Sequence, residues 1–143
     1  MRRLVASATI LLLIACTSTA PEAPFIPVIG QTADIERWAG IWSGTVTGPQ
    51  GAALLEFSIV PQPRGGGRLF LRQLAVPIEL LYVRIEGDTF ASAARPQFDE
   101  TCRCEVYRTI HGRLEGDQIA GEIQRLENRD RTVTATFTVT RAE

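Results

Sequence analysis

Lysine is absent from this chain: all 15 basic residues are arginines, set against 16 acidic residues and a formal net charge of −1. Without a basic surplus to gather on one face, nucleic acid is excluded as a partner. The missing lysine reads as a compositional habit of the source genome. Histidine is nearly missing too, with His111 the single copy. One histidine, of outward parity in its strand, argues against general base catalysis, and no Ser-His-Asp arrangement, phosphate-cradling glycine loop or catalytic carboxylate pair is present. No enzyme activity, catalytic residue or cofactor is therefore expected. Long helical periodicity is also lacking. With 143 residues and 45% hydrophobic content, the chain can fill one core but not two.

The most specific signal lies at the N-terminus. Met1-Arg2-Arg3 is a positive leader, and residues 4–15 form an apolar stretch too short for an ordinary transmembrane helix. It ends in Leu13-Ile14-Ala15-Cys16, which resembles the lipobox of bacterial lipoproteins. That resemblance implies a signal peptide over 1–15 and a Cys16 that receives diacylglyceryl on its thiol and becomes the first mature residue. The alternative is an ordinary secretory signal in which Cys16 is incidental. Several acyl chains hold a protein on a membrane far more firmly than one. The membrane is thus one partner. Thr17 follows, where an Asp would signal inner-membrane retention in enterobacteria, so the outer membrane facing the periplasm is favoured. Losing residues 1–15 removes Arg2 and Arg3 and no acidic residue, which leaves 13 basic against 16 acidic side chains, a charge of −3.

Residues 16–33 read as a tether. Pro21, Pro24 and Pro27 recur every three residues and favour extended backbone over helix. Phe25, Ile26, Val28 and Ile29 are apolar for a linker; they either lie against the folded domain or dock on a partner.

The domain itself is placed at 34–143. From Trp38 onward the apolar period is two, which predicts strands at 40–47, 52–60, 68–74, 78–86, from Thr89, 104–115, 118–127 and 131–141. Pro61 to Gly67 reads as a loop, and Arg95 to Thr101 as a polar connection. A two-residue turn at Gly87-Asp88 sets Ile85 opposite Phe90 and Val83 opposite Ser92. The same device at Gly116-Asp117 pairs Leu114 with Ile119, Gly112 with Gly121, Ile110 with Ile123, and Arg108 with Arg125. If 128–130 is a three-residue loop, Phe137 faces Gly121, its ring over the glycine pair. In 131–141, Val133, Ala135, Phe137, Val139 and Arg141 share one face and threonines the other, a strand with one dry side and one wet side. The expectation is an all-β fold: an eight-stranded antiparallel up-and-down β-barrel, closed by its first and last strands, with a short helical turn before the first.

That first stretch, Asp34-Ile35-Glu36-Arg37-Trp38-Ala39-Gly40-Ile41-Trp42, has the spacing Asp, Arg, aromatic, small residue, Gly-x-Trp. It resembles the N-terminal motif of the lipocalins, members of the calycin superfamily. The resemblance implies an arginine near the end of the last strand packed across the tryptophan, here Arg141 on Trp42, a barrel-closing contact of about 1–2 kcal/mol when desolvated. Ser43 stands where a tyrosine usually follows, so the wider calycin group is the closer comparison.

Two readings of function follow. In the first, the barrel binds a small hydrophobic or amphiphilic ligand along Trp42, Phe57, Leu71, Leu81, Val83, Phe90, Ile110, Ile123 and Phe137, with the anionic end of that ligand between Arg108 and Arg125. In the second, the core is filled and the domain meets another envelope protein, as periplasmic inhibitors of calycin type do. Arg108 and Arg125 then reach water or pair with acidic neighbours such as Asp99 and Glu100. A continuous pocket of about 300 Å3 or more separates the two. Cys102 and Cys104 read as a disulfide, free thiols, or a redox or metal site; a disulfide between residues i and i+2 needs a bend in the strand. Metal binding with His111 is disfavoured, because 104 and 111 differ in parity.

Overall fold

Among the described residues of the computed structural model, 24–74, 78–127 and 129–142, there are ten strands and one helix. The leader 1–15, Cys16 and the first part of the tether lie outside them. In chain order come β1 (Ile26–Ile29), α1 (Thr32–Trp38), β2 (Gly40–Gly48), β3 (Gly51–Pro61), β4 (Gly67–Gln73), β5 (Leu80–Glu86), β6 (Thr89–Ala94), β7 (Gln97–Asp99), β8 (Cys104–Glu115), β9 (Gln118–Glu127) and β10 (Asp130–Arg141). Nine of the strands follow the order β6-β5-β1-β4-β3-β2-β10-β9-β8, and β8 returns to β6 to close a barrel. β7 pairs only with β8.

The barrel is therefore nine-stranded and mixed, where eight antiparallel strands were expected. The difference is β1, from the segment read as tether. It lies between β4 and β5, antiparallel to the first and parallel to the second. Its residues alternate as a strand should, with Val28 buried and Pro27 and Ile29 exposed. Proline is tolerated because pairing to β5 begins only at Val28, so Pro27 has one strand beside it rather than two. The chain length between β4 and β5 was expected to be a simple hairpin connection; β1 separates them.

The turn chemistry places the other registers as expected. Ile85 faces Phe90, Gly112 faces Gly121, Arg108 faces Arg125, and β2 pairs with β10 through Trp42 opposite Arg141. Phe137 does face Gly121, by a different route. Asp130 already pairs with Glu127, and the extra residue sits in a bulge between Val133 and Ala135. That bulge turns Val133 outward, against the expected alternation. A second bulge between Leu80 and Tyr82 does the same to Leu81, which is 43% exposed. Leu81 is not an interior residue; Leu80 packs against the core in its place.

Opposed glycines let the two rings lie flat on the inner wall. A methyl on Gly112 would overlap the Phe90 ring, and one on Gly121 would meet the Phe137 ring and the His111 carbonyl. α1 plugs one end of the barrel with Ile35 and Trp38, both fully buried. Trp38 Nε1 donates to the Gly87 carbonyl at 2.9 Å, Gly87 N–H donates to Asp34 at 3.0 Å, and Trp42 Nε1 donates to the Trp38 carbonyl at 2.9 Å. Arg141 Cζ stands 4.4 Å from the centre of the Trp42 ring, as the calycin comparison implies. Its guanidinium also donates to the carbonyls of Ala39 and Arg37, which fastens the helix to the last strand.

Candidate functional site

The end opposite α1 is open. There the β2–β3 hairpin, the end of β9 and the starts of β8 and β10 surround a bowl of about 440 Å3, with Arg108, Arg125, Gln50, Ala53 and Thr134 on its wall. The strand register brings the two arginines side by side, but their partners differ. Arg125 Nη1 lies 2.7 Å from Asp99 Oδ2, and its Nη2 lies 2.9 Å from Glu127. Arg108 donates to the neutral Gln97 Oε1, and among the described residues no carboxylate stands within ion-pair distance of it. β7 supplies both Gln97 and Asp99, so this short extra strand exists where it can face the arginines.

Asp99 is held below the ordinary carboxylate value of 3.8, first by the Thr101 backbone N–H at 2.8 Å and then by Arg125. Arg125 is raised correspondingly by Asp99 and Glu127. A depressed carboxylate stabilises the fold above its unfolded pKa, and the gain disappears as pH falls through the folded value. Wild type is thus expected to exceed Asp99→Asn in urea midpoint by a constant margin from neutral pH down to about pH 4. Below that the margin closes. A margin that widens in acid would reverse the assigned sign.

Cys102 and Cys104 form a disulfide with Cα atoms 5.2 Å apart. The required bend is at Arg103, whose φ of +52° is left-handed. A loop this small removes little freedom from the unfolded chain, about 1.5 kcal/mol in the loop-entropy picture, so the bond does not staple distant elements. Arg125 Nη2 is 3.7 Å from Cys102 Sγ. Ligand atoms of Cys102, Cys104 and Glu127 lie within 4.8 Å of one another, but the sulfurs are bonded to each other and Arg125 brings positive charge to the same place. His111 is not part of this group; its Nε2 lies 3.0 Å from Thr109 Oγ1 on β8.

Several of the side chains expected to line a ligand chamber stand close together. Trp38, Phe57, Leu71, Leu80, Phe90 and Phe137 surround an apolar void of only about 30 Å3. Phe90 meets Trp38 edge-on at 5.4 Å and Phe137 at 6.3 Å, so the rings expected to line a chamber pack on each other. Trp42, likewise expected there, is fully buried beneath Arg141.

No family model, curated protein or solved structure matches this chain.

Function has to be read from the site itself. One feature escaped the sequence reading: a shallow depression of about 570 Å3 on the outer wall, over the glycine pair, rimmed by Arg84, Arg113, His111 and Glu122. Pairing sets His111 between Ala91 and Glu122, so its rim alternates small and charged groups.

Proposed function

We propose that this protein is a lipoprotein of the bacterial cell envelope, tethered by acyl chains on Cys16, whose lipocalin-like barrel works as a protein-interaction module with a filled core. The interior void of about 30 Å3 carries this reading. It is about the share of liquid volume one water occupies, whereas small-molecule sites run from about 300 to 1,000 Å3. Kinship with the calycins draws support from the stacking of Arg141 on Trp42, even though β1 makes the strand count nine. An outer-membrane position facing the periplasm is proposed from Thr17 alone, and the partner is another envelope protein.

A direct test is titration with an uncharged apolar fluorophore. The expected result is no saturable one-to-one binding at micromolar concentration; saturable binding overturns the filled-core reading. For the anchor, radiolabelled palmitate fed to cells should enter the wild-type chain and not Cys16→Ala. Label in both chains would place the lipid elsewhere.

One observation favours a second reading. Arg108 faces a bowl of about 440 Å3 with a neutral partner, an arrangement suited to an anionic group arriving from outside. Such a group would sit at the mouth, not in the interior.

A further inference from the structure

The open end of the barrel carries most of the large apolar side chains that the fold leaves exposed. Leu81 and Tyr82 stand at the start of β5, and Phe98 and Tyr107 on β7 and near the start of β8, with Phe98 67% exposed. Leu54 near the start of β3 and Val133 near the start of β10 belong to the same end. At the end covered by α1, the comparable residues among those described are Ile29, Ile41 and Val60.

In barrel order β5, β3, β10 and β8 are each separated from the next by at least one other strand and together run round the circumference, so the exposed groups form a ring about one mouth. A protein partner approaches from one side and covers a patch. A ring is met all at once only by a flat apolar medium set across the barrel axis. The chain itself says where such a medium lies. From Cys16 to Phe25 there are nine residue steps, a reach of at most about 32 Å, and β1 enters the barrel from this same end.

We infer that the open rim rests in the interfacial layer of the bilayer that holds the lipidated Cys16. Tyr82 and Tyr107 suit that depth, with an apolar ring and a hydroxyl that stays wet, and Phe98 is the most exposed apolar side chain of the set. α1 and the Trp42–Arg141 contact then point away from the membrane, and a partner protein has the outer wall and the far end to dock on. The inference rests on the lipoprotein reading above.

The test is carbene footprinting of the full acylated chain on vesicles of phosphatidylethanolamine and phosphatidylglycerol, using a water-soluble diazirine. Tyr107 and Leu81, at 42% and 43% exposed, match Ile41 and Val60 at 39% and 43%, so the far end is an internal reference. The rim residues should label several-fold more slowly than Ile41 and Val60. Equal labelling at the two ends overturns the inference while leaving the anchor intact. The intact mass of the same sample reports acylation, and an unacylated Cys16 overturns the lipoprotein reading and this inference together.

Discussion

Trp42→Ala should lower the stability of the barrel by about 4 kcal/mol or more, enough to threaten the fold. Trp42 has no exposed surface, and removing so large a buried ring costs about 3–5 kcal/mol. The cation–π contact with Arg141 disappears as well, worth about 1–2 kcal/mol when desolvated. The bond from Trp42 Nε1 to the Trp38 carbonyl goes too, at the point where α1 turns into β2. Small domains are stable by only about 5–15 kcal/mol, so a large share of the margin is removed. Arg141→Met keeps the ring buried and deletes only the cation and its hydrogen bonds. It should fall between the two proteins in thermal midpoint. If Trp42→Ala melts within a few degrees of wild type, the claim that Trp42 and Arg141 close the barrel is wrong.

The second large effect is expected at a residue that sequence reading had placed in the tether. Val28 is 3% exposed and points into the core from β1. Val28→Asp puts a carboxylate there with no cation to meet it, and burial of an unpaired charge is costly enough that the strand should leave the barrel instead. β4 and β5 would then face each other as two open edges. The check is amide hydrogen exchange, residue by residue. Protection should fall first and furthest in 67–73 and 80–86, with β2 and β10 less affected. Val28→Ile, which keeps the side chain apolar, should leave the pattern as it is. Uniform loss across all strands, or none, would mean that β1 does not complete the wall.

These two residues show what could be read in advance. β2 to β6 and β8 to β10 were legible from their alternation, and two short turns name their own residues: Gly87-Asp88 and Gly116-Asp117 set the register by counting, and inward glycines and rings then matched. The Trp42–Arg141 contact was legible because it lies at the two ends of that count. β1 was not, since its partners are 39 or more residues away in sequence, as Val28 opposite Gly67 shows, and a four-residue strand containing proline looks like linker until a gap between two other strands is there to take it. The bulges at Leu80/Tyr82 and Val133/Ala135 were hidden for a related reason: each shifts one side chain to the other face without altering local composition. The arginine pair was found by register, but its chemistry was not, because Asp99 and Gln97 come from β7, a three-residue strand read as connection. Parity shows which residues share a face; the volume left between the faces depends on how rings such as Phe90 and Phe137 lie over glycines.

The proposed function joins two claims, a barrel filled by its own side chains and a lipid that carries it. Native mass spectrometry of the protein extracted from its own host tests both parts in one spectrum. The predicted mass is that of the chain beginning at Cys16 plus its acyl groups, with nothing further attached. A stoichiometric small molecule held through gentle desolvation would contradict the filled core, and a chain without acyl groups would contradict the tether.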